Sequence, residues 1–138
     1  MDPLQSRLFE PAIALHVLGA LSAVALGIYM VAARKGTPAH RRVGRAWVAA
    51  MALTAASSFL ISAQAMPLRT ALGTFGPIHL LSAFTLWQLY RAVAAVRRGE
   101  VRVHRRAMVA TFVSLVVAGL LALSPNRIMG HWLMAMAG

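Results

Sequence analysis

The sequence predicts an all-α integral membrane protein: a four-helix bundle of two tandem transmembrane hairpins, followed by a short C-terminal interfacial segment. Three observations predict it. First, 59% of the 138 residues are hydrophobic, mean hydropathy is +0.69, and only 12% are charged. A soluble domain this small has too little interior to hide that much apolar surface. Second, the charges are clustered, and the stretches between clusters run to about 20 residues, the length a helix needs to cross the hydrocarbon core. Third, the two halves of the chain resemble each other.

The first helix is expected over 11–33, "PAIALHVLGALSAVALGIYMVAA". It is unlike a secretory leader, because its apolar run is longer than an h-region and Asp2 and Glu10 precede it. Gly36 stops it, and Thr37 with Pro38 supply an N-cap and a first helical residue for the second helix, 38–63. "AMPLRTALGTFG" reads as a connecting loop. Gly76 and Pro77 open a third helix over 77–98, and Gly99 follows it. The fourth, 102–123, ends at Ser124-Pro125. The tail "NRIMGHWLMAMAG" is read as the interfacial segment. All four helices form a single domain, 1–138.

Aligning 11–63 with 77–123 exposes the repeat. His16 falls on His79 and His40 on His104, with separations of 24 and 25 residues. Each loop joins a basic pair to a His-Arg-Arg, as in "AHRRVGRAWV" and "VHRRAMVATF". The first loop carries Arg34, Lys35, Arg41, Arg42 and Arg45; the second has Arg91, Arg97, Arg98, Arg102, Arg105 and Arg106 on its margins. The other side has only Arg7, Arg69 and Arg127. Positive charge marks the cytoplasmic side, so both basic loops are expected there and both termini outside, in a bacterial inner membrane. This distribution also accounts for the net charge of +11 without nucleic acid, for which there is no soluble domain. With no cysteine, disulfides, thiolate metal sites and covalent haem attachment are excluded.

The repeat divides four histidines into an outer pair, His16 and His79, and an inner pair, His40 and His104. Some 20 residues of helix, roughly 30 Å, lie between the levels. Two hairpins in parallel repeat make a bundle with an approximate two-fold axis along the membrane normal. Imidazoles opposed across it suit the two axial positions of a haem iron, a closed coordination that serves electron transfer. The expectation is two haem b groups per chain, ligated by His16 with His79 and by His40 with His104. Arg41, Arg42, Arg105 and Arg106 are candidates to pair with propionates. The stripe His16, Ala20, Ala23 and Gly27, with Gly19 beside it and Gly44 below His40, leaves room for a flat macrocycle or for a packed helix. Trp47, Met51, Phe84, Trp87 and Met108 are candidate apolar cover. Thr54, Ser58 and Ser62 recur every four residues as helix–helix hydrogen-bonding groups or the border of a small cavity.

"LHVLGALSAVALG", "HRRVGRAWV", "GPIHLLSAFTLW" and "RRGEVRVHRRAM" together make the chain resemble a bacterial membrane family catalogued as domain of unknown function 2306. That resemblance implies a membrane location and no activity. In architecture the arrangement is also similar to di-haem cytochromes of the b561 type, which implies haems near both membrane faces. The leading expectation is a membrane oxidoreductase that moves electrons to or from a quinol or a partner protein. Two others stand beside it. One is a non-catalytic membrane protein, a transport subunit or assembly factor, in which the histidines are structural; self-association is compatible with either. The other is a haem-free metal site on the outer face, where His16 and His79 would converge with His131, otherwise a surface residue of the tail.

Overall fold

The structure, a computed structural model, describes residues 11–61, 68–70, 73–75 and 77–123. Its described elements are α1 (Pro11–Ala32), α2 (Pro38–Ser58), β1 (Leu68–Thr70), β2 (Gly73–Phe75), α3 (Pro77–Arg97) and α4 (Val101–Ala122). The fold is all-α in its framework. The strands form a minimal antiparallel ladder, Leu68 opposite Phe75 and Thr70 opposite Gly73, in the segment expected to be plain loop. Two residues separate the strands, the commonest hairpin spacing.

The α1–α2 connection follows local chemistry. Gly36 takes φ +79°, a left-handed conformation that a side chain would disfavour. Thr37 then caps α2: its Oγ accepts from the His40 backbone N–H at 3.1 Å, and Pro38 occupies the start of the helix. At the other basic turn, Gly99 takes φ +77° and donates to the Val96 carbonyl, while the Glu100 N–H donates to Ala95 at 2.9 Å. That is a Schellman closure of α3.

α2 is shorter than its expected limit of 63. Beyond Ser58 the backbone N–H groups of Phe59, Leu60 and Ile61 donate three residues back, to Ala56, Ser57 and Ser58. Ser57 and Ser58 also turn their hydroxyls onto the carbonyls of Thr54 and Ala55. Side chains that compete for helix carbonyls disfavour continuation, and the last turn tightens.

α1 packs along α2, α3 along α4, and α2 along α3; α1 and α4 touch more lightly and close the bundle. One cluster draws on all four helices: Ala23 from α1, Trp47 and Met51 from α2, Leu89 from α3 and Leu115 from α4. The rest of the interior is polar for its size, with Thr54, Ser57, Ser58, His79, Ser82, Thr85, Gln88 and Thr111 buried. Large apolar side chains point outward instead, including Leu18, Leu21, Ile28 and Val31 on α1 and Val109, Val113, Val117 and Leu120 on α4. In water such a distribution would expose a large apolar surface for nothing; against lipid it is the favoured one. α1 and α4 are both long and apolar enough to cross a membrane.

Candidate functional site

The histidines occupy the two ends of the bundle. At the end formed by the start of α1, the close of α2 and the start of α3, His16 is half-buried against α2. Its Nδ1 lies 2.9 Å from the Thr54 carbonyl oxygen and 3.3 Å from Ser57 Oγ. A carbonyl only accepts, so Nδ1 carries the proton and donates. In the neutral ring the lone pair is then on Nε2. His79, in the first turn of α3, is 4% exposed, and its ring meets Phe59 at 5.7 Å between centroids with planes tilted by 49°. One turn on, the Ser82 and Ser58 hydroxyl oxygens lie 2.6 Å apart, a hydroxyl–hydroxyl hydrogen bond between α3 and α2. His16 and His79 thus both sit against the closing turns of α2, which present Thr54 and Ser57 to the first and Phe59 to the second.

At the opposite end, His104 repeats the His16 arrangement. Its Nδ1 is 2.9 Å from the Ala92 carbonyl oxygen on α3, so the same reasoning leaves its Nε2 with the lone pair. His40, half-buried in the first turn of α2, is near enough to His104 and to Lys35 to interact electrostatically with both. The His40 Nδ1 is buried with no hydrogen-bond partner among the described residues. A buried polar atom without a partner calls for a ligand or water to complete it. Fixing Nδ1 on a backbone carbonyl sets the tautomer and ring orientation of a ligating histidine, the arrangement that metal-binding imidazoles generally use.

Arg41, Arg42, Arg105 and Arg106 flank the inner pair in sequence and are all exposed. Among the described residues the one ion pair is elsewhere: Arg98 Nε to Glu100 Oε1 at 2.8 Å, with a second contact from Arg98 Nη2 to Glu100 Oε2 at 3.2 Å. Arg98 holds the Glu100 carboxyl below its usual range, mainly through the hydrogen bond. The four flanking arginines therefore remain available for anionic groups at this end of the bundle.

The small-residue stripe of α1 accepts packed side chains. A Cβ on Gly19 would stand 2.7 Å from Thr54 Oγ1, and one on Gly27 would fall 2.3 Å from the Phe112 ring and 2.9 Å from the Trp47 indole nitrogen. Ala23 is fully buried, and its carbonyl accepts from Trp47 Nε1 at 2.8 Å. Of the candidate cover, Trp47 and Met51 are core, and Met108 packs against the core. Phe84 and Trp87 face outward; Trp87 carries the Arg91 guanidinium 4.7 Å from its ring centroid.

Thr54 and Ser58 are both buried and hydrogen-bonded, and Ser58 does reach across to another helix. Ser62, Gly76, His131 and the tail lie outside the described residues. No three His, Cys, Asp or Glu side chains converge among the described residues. Sequence reasoning missed Ser57, Ser82 and the Thr54 and Ala92 carbonyls; a main-chain acceptor leaves no mark in a sequence.

No curated protein and no solved structure matches the chain. The family model described as "Predicted membrane protein (DUF2306)" matches residues 13–135, nearly the whole chain. The chain belongs to that family of membrane proteins.

Proposed function

We propose that this protein is a four-span membrane cytochrome of the b type, with both basic loops on the cytoplasmic side of a bacterial inner membrane and both termini outside. The observation that carries the reading is the shared orientation of His16 and His104. Each donates Nδ1–H to a carbonyl of the neighbouring helix and so keeps Nε2 for a ligand. The orphaned Nδ1 of His40 beside His104 adds support at the inner end.

In this reading His40 with His104 would hold one haem and His16 with His79 another, with the exposed Arg41, Arg42, Arg105 and Arg106 meeting the inner propionates. When bound, haem b supplies a one-electron iron couple. The protein's own contribution is positional. The Thr54 and Ala92 carbonyls aim the imidazoles, and the buried hydroxyls of α2 and α3 keep the interior polar without placing a carboxylate in it. The chain offers no nucleotide-binding fingerprint, so the electron donor or acceptor would be a quinol or a partner protein.

The filled stripe on α1 favours a second reading, a non-catalytic bundle in which the histidines only tie helices together. A visible spectrum separates the two. Protein expressed with ample haem and purified in detergent is expected to show sharp Soret and α bands on dithionite reduction; colourless protein would leave the second reading standing.

A further inference from the structure

A groove of about 560 Å³ runs along the inner half of α3 beside α2. Val48 lines it from α2; Leu89, Tyr90, Val93, Ala94 and Arg97 line it from α3, with Arg98 just beyond the end of that helix. Tyr90, Val93, Ala94 and Arg97 are spaced i, i+3, i+4 and i+7, so they share one face of α3. That face is apolar for about one turn, roughly 6 Å, and then becomes cationic. The two arginines differ. Arg98 is neutralised by Glu100, held there by the Schellman turn at Gly99. Arg97 has no ion-pair partner among the described residues.

We infer that this groove binds one anionic glycerophospholipid, its phosphate on Arg97 and an acyl chain against Val93, Ala94 and Val48. Charge decides the occupant: one uncompensated guanidinium at the end of an apolar channel matches a headgroup of net charge −1 above a hydrocarbon tail. A zwitterionic headgroup would bring its own cation to the same place. A free phosphate would use the arginine and leave the apolar wall uncovered. This site stands apart from the haem reading and needs only the membrane location.

The test is lipid retention. Protein is reconstituted in vesicles of equimolar phosphatidylglycerol and phosphatidylcholine, extracted in mild detergent, and its bound lipid measured by native mass spectrometry. The wild type is expected to retain phosphatidylglycerol over phosphatidylcholine by about fivefold, the preference one arginine confers near an anionic surface. Arg97→Gln, which removes the charge, and Val93→Trp, which fills the groove, should each bring the ratio near parity with helical circular dichroism unchanged. Where Val93→Trp loses that signal, Ala94→Leu takes its place. Arg34→Gln, the same charge change in the other basic loop, should leave the ratio as it was. An Arg34→Gln loss equal to that of Arg97→Gln would overturn the site in favour of diffuse attraction, as would a groove-filled variant that keeps the preference.

Discussion

Gly27 gives up its side chain so that two aromatic ones, Phe112 and Trp47, can reach the α1 backbone from α4 and α2. A methyl group there would overlap the Phe112 ring, and a ring packed between helices has little room to retreat. Gly27→Ala is therefore expected to destabilise the bundle by about 1–3 kcal/mol, the usual cost of overpacking. Phe112→Leu in the same chain should recover part of the loss. Denaturant unfolding in detergent micelles checks both; equal stability of Gly27→Ala and wild type would show that the close approach matters little. The histidines could be singled out at this scale because an ionisable side chain in an apolar run is costly and stands out. Their partners could not. His16 and His104 are oriented by the backbone carbonyls of Thr54 and Ala92, and since every residue type carries a carbonyl, only the backbone geometry selects these two.

At the scale of elements, the helix starts were legible and one helix end was not. Thr37 and Pro38 carry local cap chemistry, and the structure uses it as written. The close of α2 depends on Ser57 and Ser58, whose hydroxyls join either their own helix or the next. Nothing local decides between these, so the apolar run to Ala63 reads as helix in the sequence. The ladder of Leu68–Thr70 with Gly73–Phe75 was missed because three-residue strands offer too short an alternation to read. The basic turn after α3 was clearer, since Gly99 follows the last helical residues and only glycine takes φ +77° without strain. Gly99→Ala should destabilise by about 1–2 kcal/mol, the penalty for a side chain in the left-handed region. Faster hydrogen exchange at the Glu100 amide, which the turn bonds to Ala95, is the local readout. Unchanged protection there would mean the turn is held by other contacts.

For the whole molecule, composition announced the membrane, and the structure adds the reason it works: small and polar residues inside, large apolar ones outside. That inversion is invisible to hydropathy averaged along a helix, by which α1 and α4 alone among the described helices are apolar enough to cross a membrane. The absence of cysteine makes topology directly measurable. Single cysteines replacing Lys35 and Arg98 should both be labelled by a membrane-impermeant maleimide from the cytoplasmic side alone. Labelling of the two from opposite sides would break the double-hairpin arrangement.

The central claim is that the histidines work as two haem-ligating couples, one near each end of the bundle. The most direct measurement is haem content per chain, by pyridine haemochrome, in the wild type and two double variants. The account predicts two haems in the wild type, and one each in His16→Ala/His79→Ala and in His40→Ala/His104→Ala. A wild type without haem, or haem content indifferent to both pairs of substitutions, would contradict it.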